Sequence, residues 1–248
     1  MEESNNRELR NEKGQTLAEF LEAYDENKYP RPSATVDMAV FTLNENAQLS
    51  VMLIKRRNHP FIGHWALPGG FVNVDEELEA AAARELEEET GVKGLPMRPY
   101  GSFGAVDRDP RTRVITTAFY AVAPMGSIAP AAGDDAADAK LFTINTALEA
   151  YTPSAERYRL TLSSDEATLH PRALIRYDEL GSAEAMAVPM GKGVLGGDHD
   201  LVLFCALRRL NDLPRERVAL ILSKNDPDRF VEAVRALDIA LGAIPESR

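Results

Sequence analysis

The chain is poor in cysteine and has no long hydrophobic run. Among its 248 residues it has one cysteine, Cys205, which cannot form an internal disulfide and suits a reducing compartment. No apolar run approaches the roughly 20 residues that a membrane-spanning helix needs. The polar N-terminus also lacks the apolar core of a secretory signal. These absences predict a cytoplasmic protein that has no membrane partner.

Positive charge is also scarce. The chain has 28 Lys and Arg against 39 Asp and Glu, which gives a net charge of −11. Proteins that bind nucleic acid through its phosphates carry an excess of Lys and Arg, so we expect no nucleic-acid partner. A small anionic ligand is compatible with this charge, because a local basic pocket or a metal ion can hold it. The 44% hydrophobic and 27% charged fractions are typical of a soluble globular protein.

The most informative stretch is residues 70–92, where a glycine turn precedes a predicted helix rich in carboxylates. Glu85, Glu88 and Glu89 stand at positions i, i+3 and i+4, so they share one face of that helix. Such a face is often simply solvated, and like charges at this spacing weaken a helix. An oxygen-rich cluster also suits a hard divalent cation such as Mg²⁺, which would relieve the repulsion. Gly91 follows the last helical residue, where a left-handed C-cap residue belongs.

The full spacing of this stretch decides between those interpretations. It matches G-x5-E-x7-R-E-U-x-E-E-x-G-U, where U is aliphatic, at Gly70, Glu76, Arg84, Glu85, Leu86, Glu88, Glu89, Gly91 and Val92. With this signature the chain resembles the Nudix hydrolases. The resemblance covers roughly residues 35–143 and the helix after His199. It implies an α/β fold, an α/β/α sandwich around a mixed sheet.

The resemblance implies hydrolysis of a nucleoside diphosphate linked to another group, with Mg²⁺ or Mn²⁺ as cofactor. A diphosphate repels an incoming nucleophile, and cations that bridge its oxygens neutralise that charge. Carried onto this chain, the metal ligands would be three carboxylates and one backbone carbonyl, those of Glu85, Glu88, Glu89 and Gly70. Arg84 would complete the catalytic set by orienting these carboxylates, and Glu76 would fix the loop against the helix start.

The general base stays open at this stage. Family members place it within the signature or on a distant loop. The candidates within the signature are Glu88 and Glu89. The candidates outside it are Asp134, Asp135, Glu149 and Glu156.

Three flanking stretches, SATVDMAVF, HPFIGHWALPGGFV and FGAVDRDPRTRVITTAFYAV, resemble the ADP-ribose pyrophosphatase branch of the family. That resemblance implies cleavage of ADP-ribose to AMP and ribose 5-phosphate by a homodimer. The candidates for contacts to the diphosphate or ribose are Arg57, Arg108, Arg111 and Arg113. Phe61 or Phe71 would stack on the base or belong to the core.

The signature is compatible with two other functions. The first is a transcriptional regulator of NAD metabolism, in which a Nudix domain senses ADP-ribose and a C-terminal winged helix binds DNA. Residues 196–248 hold eight Lys and Arg against nine Asp and Glu, which is unfavourable for a DNA-reading module. The second is a house-cleaning pyrophosphatase for oxidised nucleotides. The intact signature favours an enzyme over a sensor.

The remaining patterns predict three regions. Residues 1–32 form a tail and a short helix, which begins at a capping box made by Thr16 and Glu19. Residues 33–212 form the Nudix domain, with an inserted hairpin at about 156–197 whose last part, from 181, is irregular. Residues 213–248 form a helical extension. Strands are predicted at 35–43, 49–56, 98–104, 113–122 and 139–143. Further helices are predicted at 199–210 and from Asn225 or Asp226, with Pro227 in the first turn.

Overall fold

The computed structural model describes residues 9–131, 136–177, 183–187 and 194–244. The chain consists of two compact units, Met1–Pro32 and Ser33–Arg248. In the first unit, helix α1 (Leu17–Glu22) begins at Thr16, whose hydroxyl accepts a hydrogen bond from the Glu19 N–H while the Glu19 carboxylate accepts one from the Thr16 N–H. This reciprocal pair confirms the predicted capping box. In the described ranges no helix has both the length and the apolar character needed to span a bilayer.

The second unit is built on one sheet of eleven strands. In chain order these are β1 (Ser33–Leu43), β2 (Leu49–Arg56), β3 (Trp65–Ala66), β4 (Gly69–Phe71), β5 (Arg98–Phe103), β6 (Val114–Val122), β7 (Ala136–Thr152), β8 (Ala155–Ser163), β9 (Thr168–Leu169), β10 (Arg172–Tyr177) and β11 (Ala183–Ala187). The main path is β11-β10-β8-β7-β2-β1-β6-β5, with β3 on β2, β4 on β1 and β9 on β8. Strands β1 and β6 are parallel and the other pairs are antiparallel. The sheet is therefore mixed, as predicted.

Four helices of this unit lie in the described residues: α2 (Leu78–Thr90), α3 (His199–Asn211), α4 (Arg215–Leu222) and α5 (Pro227–Leu241). Side chains alternate along β1, so its two faces serve two cores. Val36 and Met38 pack in one core with Leu86 of α2. Phe41 packs in the other core with Phe204 of α3. Helices on both faces of the sheet confirm the α/β/α sandwich.

The predicted elements match the structure most closely where apolar runs are bounded by turn residues. Strand β7 is much longer than the predicted 139–143, because its largely exposed second half is held by antiparallel pairing with β8 rather than by burial. Helix α4 was missed, since eight residues between Pro214 and Ser223 are too short to show a clear helical period. The prediction that the chain is irregular from residue 181 was wrong for Ala183–Ala187, which pairs with β10 through its backbone.

The C-terminal helices pack on the same core as the sheet. Val218 of α4 and Leu237 of α5 join Phe142 of β7 in one buried cluster. Helix α5 begins as predicted, because the Asp226 side chain accepts a hydrogen bond from the Asp228 N–H and a proline occupies the first turn. The division into a domain ending at 212 and an extension from 213 stays a prediction.

Candidate active site

Two glycines allow strand β4 to lie close to its neighbours, Gly70 against helix α2 and Gly69 against strand β1. A Cβ atom at Gly70 would lie 2.4 Å from the Glu85 carboxyl carbon, and one at Gly69 would lie 2.2 Å from the Val36 carbonyl oxygen. The contact at Gly69 is with backbone, so only glycine fits there, whereas a side chain at Gly70 would displace the Glu85 carboxylate. The signature glycine thus lets a helix carboxylate lie directly against the backbone of β4.

Glu89 is the buried carboxylate of this arrangement. Its side chain accepts a hydrogen bond of 2.8 Å from the Gly69 N–H, and the residue is only 7% exposed. Burial raises its pKa from 4.5 to about 8, although the Gly69 hydrogen bond acts in the opposite direction. Burial also raises the pKa of Glu85, against the effect of the neighbouring Arg84. Both carboxylates are therefore costly to ionise unless a cation is bound beside them.

Arg84 holds the acidic groups of the signature in place. Its guanidinium donates two hydrogen bonds of 2.8 Å to Glu76, one of 2.8 Å to Glu85 and one of 3.1 Å to Glu88. It also donates to the Phe71 carbonyl at 3.0 Å. The Arg84 hydrogen bonds hold the pKa of Glu76 down at about 2. This geometry matches the orienting role expected of Arg84 and the loop-fixing role expected of Glu76.

A cavity of about 370 Å³ lies beside these residues. Glu85 and Glu89 line it together with Gly70. Glu88 is not among the lining residues, and its side chain is 56% exposed beside Arg84. The structure thus brings two of the three predicted carboxylates into one cavity and leaves the third at the helix surface.

The four candidate arginines differ in position. Arg57, Arg108 and Arg111 line the cavity, whereas Arg113 is not among its lining residues and donates to the Ala105 carbonyl at 2.9 Å. Arg57 donates to the Ala136 carbonyl at 2.8 Å. Their predicted contacts to a substrate stay predictions.

Arg111 and Phe71 form one side of the cavity. The Arg111 guanidinium lies 5.2 Å from the centre of the Phe71 ring and pairs with Asp109 at 2.8 Å. Phe71 is 43% exposed, so it does not belong to the core. Phe61 lines the same cavity. Of the two alternatives for Phe71, core packing is wrong.

Arg108 is engaged in a buried network that the sequence did not indicate. It donates to both carboxylate oxygens of Asp198, at 2.9 and 2.8 Å, and to Asp37 at 3.3 Å. Burial lowers the pKa of Arg108, but the two carboxylates outweigh this effect and raise it overall. These bonds tie the loop after β5 to β1 and to the start of α3.

Asp37 and His199 were missed as site residues, and both line the cavity. The Leu67 N–H donates to His199 Nδ1 at 2.9 Å, so a neutral ring carries its proton on Nε2, which lies 3.5 Å from Asp37. A lone acidic residue inside the apolar run TVDMAVF was a signal for Asp37, because buried charges are usually paired. No comparable signal pointed to His199.

The other candidate bases are not in the cavity. Glu149 accepts a hydrogen bond of 2.9 Å from Arg172, and Glu156 accepts bonds from the hydroxyls of Tyr158 and Tyr177. Neither carboxylate lines the cavity. Asp134 and Asp135 lie outside the described residues.

The carboxylate and carbonyl oxygens around Gly70 suit a hard cation. Within the described residues no three His, Cys, Asp or Glu side chains form a ready-made metal cluster. Glu85 and Glu89 nevertheless line one cavity beside the Gly70 backbone, and burial disfavours the charged form of both. Mg²⁺ and Mn²⁺ prefer oxygen ligands such as carboxylates and backbone carbonyls.

Known proteins are similar to this chain in sequence and in fold. The chain is 40% identical over 117 residues to the ADP-ribose pyrophosphatase of Methanocaldococcus jannaschii, which covers 47% of this chain and 65% of that protein. It is 42% identical over 105 residues to a protein of Acinetobacter baylyi named ADPR responsive transcriptional repressor NtrR, which covers 42% of each chain. The chain therefore spans less than two thirds of either relative.

A solved structure is similar over more of the chain. The MutT/nudix family protein from Enterococcus faecalis has a TM-score of 0.60 at 29% identity, covering 88% of this chain and 87% of that one. The model of the NUDIX domain family matches residues 33–162, just over half of the chain. The chain belongs to the Nudix family and is similar to its ADP-ribose pyrophosphatases.

Proposed function

We propose that this protein hydrolyses the diphosphate bond of a nucleoside diphosphate linked to another group, and that its substrate is ADP-ribose, which gives AMP and ribose 5-phosphate. The observation that carries the proposal is the buried Glu89 carboxylate, held by the Gly69 N–H in a cavity next to Glu85. The similarity to an ADP-ribose pyrophosphatase supports the choice of substrate.

In the proposed mechanism, Glu85, Glu89 and the Gly70 carbonyl hold Mg²⁺ or Mn²⁺, with Glu88 as a further ligand. The metal would neutralise the diphosphate oxygens and lower the pKa of a bound water. Arg84 holds Glu85 and Glu88 in position through its hydrogen bonds.

Glu89 is the better placed of the two signature carboxylates proposed as general base. It lines the cavity, whereas Glu88 lies at the helix surface. A cation bound beside Glu89 would lower this raised pKa and keep the carboxylate ionised near neutral pH, the form that accepts a proton. In this proposal it accepts the proton of the attacking water.

The cationic side of the cavity would bind the phosphates. Arg111 and Arg57 line the cavity, and we propose that they contact the diphosphate or ribose. Arg113 and Arg108 were predicted to do the same. For Arg108 the bonds to Asp37 and Asp198 better support a role in holding the loop after β5.

The test is a substrate panel with product identification. Purified protein and Mg²⁺ are given ADP-ribose and 8-oxo-dGTP side by side, and the products are separated chromatographically. We expect faster turnover of ADP-ribose, AMP and ribose 5-phosphate as products, and loss of activity with chelator. Faster turnover of 8-oxo-dGTP would instead support the house-cleaning function.

Two variants connect the activity to the site. Glu89→Gln removes the buried charge and should lower turnover at least about a hundredfold, the usual scale for a general base or an electrostatic contact. Glu87→Gln is the matched control, because Glu87 lies on the same helix, pairs with Lys93 and does not line the cavity. Near-normal rates in both Glu88→Gln and Glu89→Gln would place the chemistry elsewhere.

A second candidate is an ADP-ribose-responsive DNA-binding regulator. The similarity to the Acinetobacter repressor favours it, and helices α4 and α5 are joined by a four-residue turn, 223–226, as in helix-turn-helix motifs. The charge balance of residues 196–248 is against it. An electrophoretic shift with promoter DNA, relieved by ADP-ribose, would support the regulator. No shift together with rapid ADP-ribose turnover would exclude it.

We also propose a homodimer as the solution state, and sedimentation velocity would distinguish it from a monomer. The cytoplasmic location stays a prediction.

A further inference from the structure

A second cavity lies between strand β5 and helix α3. Its volume is about 620 Å³, and it shares no lining residue with the candidate active site. Tyr100 and Ser102 line it from the sheet, and Arg208 and Arg209 line it from the helix. Because β5 ends the path of the sheet, this groove runs along a sheet edge. The groove is therefore separate from the site proposed for hydrolysis.

Arg208 is a buried cation that has no ion pair with any of the described residues. The residue is only 8% exposed, and its Nε has no hydrogen-bond partner. Among the described residues, no carboxylate lies within ion-pair distance of its guanidinium, whereas the similarly buried Arg108 has both Asp37 and Asp198. A charge taken out of water without a partner is strongly unfavourable. The partial negative charge at the end of α3 offsets some of this cost, but it gives Nε no acceptor.

The groove supplies what a small oxyanion needs. Arg208 and the exposed Arg209 line it from α3 together with Asp212, and Ser102 lines it from β5, so the helix side carries two cationic side chains and one carboxylate. Guanidinium groups bind phosphate through paired donors in a fixed plane. The volume falls in the range of about 300–1,000 Å³ found for small-molecule sites, so a phosphate with an organic substituent would fit.

We propose that the groove between β5 and α3 is a binding site for a phosphate or phosphomonoester, whose oxygens accept hydrogen bonds from Arg208 and Arg209. This proposal rests on the unpaired Arg208 and does not depend on the proposed hydrolysis. The anion neutralises a buried charge, so its binding stabilises the fold.

The test uses inorganic phosphate as the probe. Phosphate is titrated calorimetrically into the full chain with chelator present, at ionic strength matched with chloride. We expect binding to the unaltered protein and about tenfold or greater weakening in Arg208→Met, the scale of a charged hydrogen bond. Arg217→Met, at an exposed arginine of α4, is the matched control and should bind normally. Arg111→Met should also retain binding, because Arg111 belongs to the candidate active site.

Three outcomes would overturn the proposal: no phosphate binding by the unaltered protein, unchanged binding by Arg208→Met, or binding lost in Arg111→Met but kept in Arg208→Met. Thermal unfolding adds a second measurement. Without phosphate, Arg208→Met should melt at or above the temperature of the unaltered protein, because it removes an unpaired buried charge. If Arg208→Met does not fold, Arg209→Met serves in its place, since this side chain is exposed. Unweakened binding there would then count against the site.

Discussion

Replacing Glu89 with glutamine should stabilise the protein while it removes activity. Burial raises the Glu89 pKa from 4.5 to about 8, so between these pH values the folded state binds a proton that the unfolded state has lost. The contribution of Glu89 to the free energy of unfolding is therefore fully present below pH 4.5 and falls as the pH rises through this window. Each pH unit in the window costs about 1.4 kcal/mol. Glutamine avoids this cost, and its carbonyl still accepts the Gly69 hydrogen bond.

The size of the gain follows from the same window. Near pH 5 the glutamine variant should be more stable by less than about 1 kcal/mol. At pH 7 the glutamine variant should be more stable by about 3 kcal/mol, and at pH 8 by about 4 to 5 kcal/mol. Urea unfolding at pH 5, 6, 7 and 8, with chelator present, measures this difference, and Glu87→Gln serves as the exposed control on the same helix. Parallel stability curves for the Glu89 variant and the unaltered protein would refute the reasoning, because the carboxylate would then be ionised without cost.

Three further predictions concern single contacts. Gly70→Ala places a Cβ 2.4 Å from the Glu85 carboxyl carbon, and because that flexible side chain can move away we expect little change in urea unfolding but a large loss of turnover. Arg84→Lys keeps the positive charge but loses the planar guanidinium donors that bind Glu76. We therefore expect kcat to fall about tenfold or more, while the thermal midpoint changes little. Tyr100→Phe removes the hydrogen bond from its hydroxyl to the Val202 carbonyl, which should cost about 1 kcal/mol in urea unfolding and leave turnover unchanged.

The elements that sequence predicted well are those with a local cause. The apolar runs of β1 and β2 are bounded by turn residues, and α2 is bounded by a glycine C-cap, Gly91, with φ of 71°. The capping box of α1 depends on two residues three positions apart. In each case the residues that decide the structure are neighbours in the chain. Their effect is therefore visible without knowledge of tertiary contacts.

The elements that sequence missed have distant causes. The second half of β7 is largely exposed, and pairing with β8 holds it in the sheet. Glu88 and Glu89 are equivalent by spacing, but β4 covers Glu89 and leaves Glu88 exposed. Arg108 and Arg111 lie three residues apart, yet one is buried between Asp37 and Asp198 and the other faces Phe71. Residue type alone cannot make that distinction, because the partners come from other elements.

The part of the chain beyond the family match completes the candidate active site. The match ends at residue 162, yet Asp198 and His199, at the start of α3, line the cavity. Asp198 anchors Arg108, and His199 lies between the Leu67 N–H and Asp37, so the loop before the signature and the loop after β5 both depend on α3 for their position. The same helix carries Arg208 near its other end, about 13–14 Å along the axis at 1.5 Å per residue. A segment limited to the family match would retain Gly70, Glu85 and Glu89 but lose the partners that hold this side of the cavity. The signature alone therefore does not build the site, which depends on α3 being packed against the sheet.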